Sequence, residues 1–173
     1  MRTLILGGAR SGKSALAERL AHESQCEVVY IATAQAGDEE MAARIAHHRA
    51  RRPATWLSIE EPLHLADVLR KHARQDRCVL VDCLTLWLSN VLGDADTQQF
   101  ERERSLLLET LPTLSGDVLM VSNEVGLGIV PMGALTRRFA DEAGRLHQSI
   151  AAISERVLFV AAGLPLAIKG TYP

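Results

Sequence analysis

The chain has 173 residues, of which 47% are hydrophobic and 4% aromatic, and its formal net charge is −2. This length fits one domain with one core, and no repeat, low-complexity tract or linker divides residues 1–173. The small negative charge excludes general binding to nucleic acid through bulk electrostatics, so a phosphate ligand needs a local site. No apolar run reaches the roughly 18 residues of a membrane-spanning helix, and the first residues show no signal-peptide pattern.

Short apolar segments alternate with segments of helical spacing along the whole chain. Strands are predicted at residues 3–6, 27–32, 78–82, 118–122 and 157–161, with a weaker candidate at 164–168. Helices are predicted at residues 13–22, 39–49, 63–74, 98–111 and 135–154. This alternation predicts an α/β fold with a mostly parallel sheet flanked by helices.

Cys26, Cys78 and Cys83 are odd in number and show no CxxC spacing. Two of them flank the apolar run at residues 79–81, which favours buried, reduced thiols over a metal site or a disulfide. We therefore expect a cytoplasmic protein.

Residues 7–14 match the P-loop pattern G-x-x-x-x-G-K-[ST] at every required position, between a predicted strand and a predicted helix. They are Gly7, Gly8, Ala9, Arg10, Ser11, Gly12, Lys13 and Ser14. The glycines allow backbone N–H groups to curl around phosphate oxygens, and the helix N-terminus adds a favourable dipole. We expect Lys13 to reach the β- and γ-phosphates and Ser14 to bind Mg²⁺. The motif predicts a RecA-like P-loop NTPase fold that takes ATP or GTP.

Asp82 ends the predicted strand at residues 78–82, the position of a Walker-B carboxylate that holds Mg²⁺ directly or through water. The alternative is that Asp82 caps the following helix, with Thr85 as a rival cap. Two loops, residues 33–38 and 123–131, follow other predicted strands. Because ligands bind at the carboxyl ends of parallel strands, both loops are expected on the same edge as the P-loop.

The segment at residues 42–53 is strongly basic and contains the adjacent histidines His47 and His48. Its arginines suit a triphosphate, and a histidine near neutral pH can act as base or nucleophile. Adjacent helical residues point about 100° apart, so one of the two faces the site. A solvated basic helix with inert histidines is the alternative. The other histidines, His22, His64, His72 and His147, are expected at the surface or in packing.

The motifs and their order resemble one family over essentially the whole chain. The P-loop is followed by Tyr30-Ile31-Ala32-Thr33-Ala34, by the histidine pair with Arg52-Pro53, and by the loop at residues 123–131, which begins Asn-Glu-Val-Gly. The chain is similar to the bifunctional adenosylcobinamide kinase/adenosylcobinamide-phosphate guanylyltransferases of cobalamin biosynthesis.

The resemblance implies a two-step enzyme that forms a homotrimer. ATP or GTP phosphorylates the corrinoid adenosylcobinamide, then GTP guanylylates a histidine, which passes GMP to adenosylcobinamide phosphate. The resemblance assigns that histidine to His48, with His47 as the fallback. A monofunctional P-loop small-molecule kinase and a nucleotide-dependent regulatory ATPase are the alternatives.

The resemblance also implies nucleotide contacts beyond the P-loop. They fall on Ala32, Thr33, Ala34, Arg49, Ala50, Arg51, Arg52, Glu60 and Asp82. A carboxylate such as Glu60 can read the guanine N1–H and N2 amino group, or it can be a helix N-terminal charge before Pro62. One departure is His147, where the family leads us to expect asparagine. If this position touches substrate, corrinoid binding differs here.

Overall fold

The computed structural model describes residues 1–35, 53–93, 96 and 98–172. Its sheet has seven strands in the order β3-β2-β4-β5-β1-β6-β7. All neighbouring strands are parallel except β6 and β7, which pair antiparallel. The strands are β1 Arg2–Gly7, β2 Glu27–Ala32, β3 Leu57–Glu60, β4 Arg77–Asp82, β5 Asp117–Asn123, β6 Arg156–Ala161 and β7 Leu164–Lys169.

Helices cover both faces of this sheet. They are α1 Lys13–Glu23, α2 Leu65–His72, α3 Leu84–Gly93, α4 Gln99–Thr110 and α5 Ala134–Ile153, with a 3₁₀ turn at Leu111–Thr113. Successive strand residues point to opposite faces. Leu4 and Leu6 therefore join the core formed with α2 to α5, while Ile5 packs on the side of α1. The predicted α/β fold with a mostly parallel sheet flanked by helices is confirmed.

The structure bears out the six predicted strands and four of the predicted helices, within a few residues at their ends. The helix predicted at residues 39–49 lies outside the described residues. Two elements were not predicted, β3 and α3. The side chains of β3 are mostly exposed, so it lacks a buried apolar run. Helix α3 begins two residues after β4, and five of its ten residues are buried. The alternation of polar and apolar residues that marks an amphipathic helix is therefore weak in its sequence.

The cysteine prediction is also confirmed. Cys78 and Cys83 are buried, Cys26 is half-buried, and all three are free thiols. Burial raises the pKa of Cys78 to about 12 and that of Cys83 to about 11, so both are inert as nucleophiles near neutral pH. In the described part of the chain, no helix is long and apolar enough to cross a membrane.

Candidate nucleotide and phosphoryl-transfer site

The P-loop begins where β1 ends, and its first residue has no room for a side chain. A Cβ on Gly7 would lie 2.5 Å from the carbonyl oxygen of Val160 and 2.6 Å from Ser11 Oγ. Gly12, at the N-cap of α1, has a φ of 97°, in the left-handed region that glycine adopts without strain. The loop is therefore closely packed at Gly7 and takes a left-handed backbone conformation at Gly12, both of which suit a phosphate-binding loop.

The end of the P-loop carries positive electrostatic potential. The first turn of α1 contains no acidic residue of its own that would oppose the positive end of the helix dipole. Lys13 is buried, with 8% of its surface exposed, and its Nζ donates to the carbonyl oxygen of Gly8 at 3.2 Å. The ammonium group is therefore held back over the loop, where it can reach a bound phosphate.

Ser11 contributes a second feature of the cradle. Its Oγ is buried and has no hydrogen-bond partner among the residues that the structure describes. Its carbonyl oxygen accepts a hydrogen bond from the N–H of Gly163 at 2.8 Å. The turn between β6 and β7 thus braces the P-loop from outside, and an unpaired buried hydroxyl remains on the loop for a ligand.

The predicted metal ligands Ser14 and Asp82 lie together. Ser14 Oγ donates to Asp82 Oδ1 at 3.5 Å, and the hydroxyl of Tyr30 donates to Asp82 Oδ2 at 2.8 Å. Oδ1 of Asp82 therefore contacts the first turn after the P-loop, while Oδ2 is held by Tyr30 of the neighbouring strand β2. Among the described hydrogen bonds, neither Asp82 nor Thr85 caps the N-terminus of α3. Thr85 Oγ1 contacts Ser122 and Asn123 instead.

The strand order brings three chemical functions side by side. β5 lies between β1, which leads into the P-loop, and β4, which ends in Asp82. The register pairs Gly7 with Asn123 across β1 and β5. The N–H of Glu124 donates to the carbonyl oxygen of Gly7 at 3.0 Å. The loop after β5 therefore starts beside the P-loop and next to the strand that ends in Asp82, on the edge predicted for it.

Residues after β2 occupy the same edge, but the side chain of Thr33 serves the fold. It is fully buried, and its Oγ1 donates to the carbonyl oxygen of Cys83 at 2.7 Å and accepts from the N–H of Cys83 at 2.9 Å. Asn90 Nδ2 donates to the carbonyl oxygens of Thr33 and Pro62 at 2.8 and 3.1 Å. Of the three residues predicted here to contact nucleotide, Ala32 and Ala34 are half-buried and leave some surface accessible, whereas Thr33 does not.

Glu60 is exposed at the end of β3, the outer strand of the sheet. Its register partner on β2 is Ala32, whose partner on β4 is Asp82. Four strand spacings separate β3 from β1, and neighbouring strands lie about 4.8 Å apart, so Glu60 is about 19 Å across the sheet from the P-loop strand. Glu60 and the P-loop that follows β1 therefore lie far apart along this sheet edge.

A buried polar network runs behind the site. Thr85 Oγ1 accepts from the N–H of Asn123 at 2.6 Å and lies 3.0 Å from Ser122 Oγ. Ser122 Oγ lies 2.7 Å from His147 Nε2, and His147 Nδ1 lies 3.8 Å from Glu124 Oε2. We call Thr85, Ser122, His147 and Glu124 the buried network. Burial lowers the pKa of His147, against an opposing effect of the Glu124 carboxylate, so the imidazole is neutral near pH 7.

The described structure thus brings together Gly7, Gly8, Ala9, Arg10, Ser11, Gly12, Lys13, Ser14 and Asp82. His47, His48, Arg49, Ala50, Arg51 and Arg52 lie outside the described residues, so their assigned roles stay predictions. The sequence analysis assigned no role in the site to Tyr30, Asn90, Ser122 or Glu124. The sequence did draw attention to His147, because it stands where the family leads us to expect asparagine. In the structure His147 is buried and contacts Ser122.

Comparison with known proteins identifies the family of the chain. Residues 3–168 match the model of the family described as cobinamide kinase / cobinamide phosphate guanyltransferase. A bifunctional adenosylcobalamin biosynthesis protein CobP from Pseudomonas aeruginosa is 64% identical over 170 residues, which cover 98% of each chain. A bifunctional adenosylcobalamin biosynthesis protein CobU from Escherichia coli is 40% identical over 182 residues, covering 98% of this chain and 100% of the relative.

A solved structure supports the fold alone. An ATPase from a bacterial type III secretion system superposes with a TM-score of 0.55 at 14% identity, over 96% of this chain and 57% of that chain. The family match does not favour the alternatives of a monofunctional kinase or a regulatory ATPase. The chain belongs to the cobinamide kinase / cobinamide phosphate guanyltransferase family and is a bifunctional kinase and guanylyltransferase of cobalamin biosynthesis.

Proposed function

We propose that residues 1–173 form one catalytic domain that uses the P-loop edge for both reactions, with His48 as the covalent carrier of GMP. In the kinase step, the γ-phosphate of ATP or GTP passes to the aminopropanol hydroxyl of adenosylcobinamide. In the second step, His48 attacks the α-phosphorus of GTP, pyrophosphate leaves, and the phosphate of adenosylcobinamide phosphate then takes the GMP. The observation that carries the proposal is the side-by-side placement of the P-loop, Asp82 and the loop after β5.

The kinase half is supported by the geometry of the P-loop. The buried ammonium of Lys13 and the uncapped N-terminus of α1 supply positive potential where the β- and γ-phosphates would sit. The oxygen donors of Ser14 and Asp82, 3.5 Å apart, suit Mg²⁺, which prefers a few protein oxygens and completes its shell with phosphate and water. A bound Mg²⁺ would neutralise charge that develops on the phosphates.

The guanylyltransferase half requires a second nucleotide position. Attack on the γ-phosphorus and attack on the α-phosphorus place different atoms beside the acceptor. Glu60, far across the sheet edge from Lys13, is proposed to accept hydrogen bonds from the guanine N1–H and N2 amino groups. Arg49, Ala50, Arg51 and Arg52 are proposed to hold the phosphates beside His48. In this arrangement the GTP of the second step lies toward β3 and the nucleoside triphosphate of the first step lies in the P-loop.

The corrinoid is a large, partly apolar substrate, and the surface beside the site is apolar. After Glu124 the chain exposes large hydrophobic side chains. They include Leu127 at 80% exposure, Ile129 at 98%, Val130 at 72% and Met132 at 94%. We propose that the corrinoid and the neighbouring subunits of a homotrimer cover this surface, because exposed apolar patches mark binding sites. The free thiols of Cys26, Cys78 and Cys83 agree with the cytoplasm as the proposed location.

Covalent labelling tests the central claim. The protein is incubated with Mg²⁺ and GTP labelled on the α-phosphate, denatured, and examined for retained label. We expect label that is stable in alkali and lost in acid, as a phosphoramidate is, and absent from His48→Ala.

His47→Ala is the matched control, since it removes the adjacent imidazole from the same segment. It should retain the label. Loss of label in His47→Ala with retention in His48→Ala would move the assignment by one residue. A wild-type protein that binds GTP but takes up no label would sink the covalent mechanism.

A further inference from the structure

We propose that Glu124 is the general base of the kinase step and accepts the proton of the corrinoid hydroxyl as that oxygen attacks the γ-phosphorus. The inference rests on the proposed function, whose kinase half requires an acceptor hydroxyl beside the P-loop. It assigns a role to a residue that lies outside the P-loop, the histidine segment and the metal ligands.

Position is the first argument. Glu124 is the residue immediately after β5, the strand enclosed by β1 and β4. Its N–H donates to the carbonyl oxygen of Gly7 at 3.0 Å, so its backbone is fixed to the first residue of the P-loop. The Glu124 side chain therefore leaves the backbone beside the first residue of the P-loop, at the sheet edge where the nucleotide is proposed to bind.

Orientation is the second argument. Glu124 Oε1 accepts from the N–H of Gly126 at 2.5 Å, and Oε2 faces His147 Nδ1 at 3.8 Å. Because Thr85 Oγ1 already accepts from the N–H of Asn123, its own proton is available to Ser122 Oγ, and the proton of Ser122 is then available to His147 Nε2. This direction leaves the His147 proton on Nδ1, facing the carboxylate. The N–H of Gly126 therefore holds one carboxylate oxygen, and the His147 ring at the end of the buried network lies next to the other.

Ser122, His147 and Glu124 resemble a Ser-His-Glu nucleophile triad. A nucleophilic serine must be accessible to substrate, and Ser122 is not. Ser122 is fully buried, and its Oγ is shared between Thr85 and His147. No substrate carbon or phosphorus can reach it. By contrast, the Glu124 side chain keeps 21% of its surface exposed, so the accessible end of the network is the carboxylate.

Other carboxylates near the edge are less suited to this task. Both oxygens of Asp82 accept hydrogen bonds, from Ser14 and Tyr30, in the geometry of a metal ligand. Glu60 lies about 19 Å across the sheet from the P-loop strand, since four spacings of about 4.8 Å intervene. Within the part of the chain that the structure describes, Glu124 is the carboxylate whose backbone is joined to the P-loop itself.

The loop that Glu124 starts also offers a place for the acceptor. Val125, Ile129 and Val130 line a groove closed on the other side by Arg137 and Ala140 of α5. Asp141 of α5 also lines the groove, so its lining is partly charged, and its first residue, Val125, follows Glu124 directly in the chain. A corrinoid side chain lying along it would bring its terminal hydroxyl to Glu124.

The proposed step balances as a phosphoryl transfer. The hydroxyl oxygen forms a bond to the γ-phosphorus, and the bond from that phosphorus to the β-γ bridging oxygen breaks, which releases the nucleoside diphosphate. The hydroxyl proton moves to a Glu124 oxygen and afterwards to water. Positioned proton acceptors of this type contribute about 10²–10⁴-fold to rate.

The two halves of the enzyme differ in their need for this base. Guanylylation of a neutral imidazole requires no proton to be removed from an acceptor hydroxyl, and neither does the attack of the phosphate anion of adenosylcobinamide phosphate on the carried GMP. Glu124 should therefore matter for the first step alone. A residue that only supports the loop would affect both steps.

The test uses the full-length Glu124→Gln variant. Glutamine keeps an Oε1 acceptor for the N–H of Gly126 but is not a base. Phosphorylation of adenosylcobinamide by γ-labelled ATP is measured, together with label uptake from α-labelled GTP and GMP transfer to previously phosphorylated adenosylcobinamide. We expect kcat of the kinase step to fall by about 10²–10⁴-fold, with the KM for ATP, the label uptake and the GMP transfer at wild-type values.

Glu109→Gln is the control, because Glu109 is an exposed carboxylate on α4. All of its activities should match those of the wild type. A kinase rate near wild type in Glu124→Gln would overturn the proposal, and so would a parallel loss of both activities, which indicates a structural role. A wild-type protein with kinase activity but no GMP label would overturn the histidine mechanism. The kinase rates of Glu124→Gln and wild type would then still decide whether Glu124 is the base. Without any kinase activity in the wild type, the inference falls.

Discussion

Ser14 Oγ and Asp82 Oδ1 lie 3.5 Å apart although 68 positions separate the two residues in the chain. The contact joins the first turn of α1 to the end of β4, across the intervening strand β5. Tyr30, from β2, fixes the other carboxylate oxygen. Three separate segments therefore converge on one pair of oxygen donors, which is the arrangement that a Mg²⁺ bound to nucleotide requires.

Replacement of Asp82 by asparagine tests this pair. The change removes the negative charge while it keeps the size of the side chain, so we expect the Mg²⁺ concentration required for nucleotide binding to rise about tenfold or more. Calorimetric titration of ATP at several Mg²⁺ concentrations measures the effect. Tyr30→Phe is the matched control, because it removes a hydrogen bond to Oδ2 but leaves the charge. Its curve should shift less, and an unchanged curve in Asp82→Asn would exclude the metal role.

Gly7→Ala tests the crowding at the start of the P-loop. The new Cβ would meet the carbonyl oxygen of Val160 at 2.5 Å, and backbone cannot move aside as a flexible side chain can. We expect the ligand-free protein to lose about 1–3 kcal/mol of stability, seen as a lower midpoint of urea unfolding, together with weaker ATP binding.

Gly8→Ala controls for the loss of a glycine as such. No atom lies within 4 Å of a Cβ built on Gly8, so the unfolding midpoint of the ligand-free variant should stay near that of the wild type. Equal midpoints for the Gly7 and Gly8 variants would contradict the steric argument.

His147→Asn tests the buried network through its dependence on pH. Burial lowers the pKa of His147 below its ordinary value of 6.5, so at mildly acidic pH the unfolded chain binds a proton that the folded chain resists. Stability from this residue is therefore fully present above pH 6.5 and is lost as the pH falls through the lower folded value. Urea unfolding measured above pH 6.5 and at increasingly acidic pH below it should show a smaller loss of stability in the variant than in the wild type.

His72 accounts for part of the slope that remains, because burial and the neighbouring Lys71, Arg77 and Arg74 also lower its pKa. The double variant His72→Asn, His147→Asn should therefore be flatter than either single variant. Identical pH dependence in the wild type and in His147→Asn would show that the imidazole does not titrate differently on folding.

Much of the phosphate site could be predicted because its signals are local. Residues 7–14 are contiguous, and the strand and helix that flank them are periodic in the sequence. Asp82 was found because it ends an apolar run. These features are set by short-range sterics and by the alternation of the side chains, both of which are visible in a single sequence.

The buried network could not be predicted, because its members are brought together only by the tertiary fold. Thr85, Ser122 and His147 lie on α3, β5 and α5. Nothing near His147 in the sequence indicates that a serine hydroxyl lies 2.7 Å from its ring. Glu124 was visible inside a recognisable loop, but its relation to Gly7 depends on the pairing of β1 with β5.

The position of β1 in the sheet has a consequence for the order in which the molecule is assembled. β1 precedes the other described strands in the sequence, yet its partners are β5, which begins at Asp117, and β6, which begins at Arg156. Contacts between residues so distant in sequence form late and slow the folding of a chain. The strand that carries the phosphate cradle therefore has no partner in the sheet until the residues of β5 have been synthesised. A truncated nascent chain would contain the complete P-loop sequence without a nucleotide site.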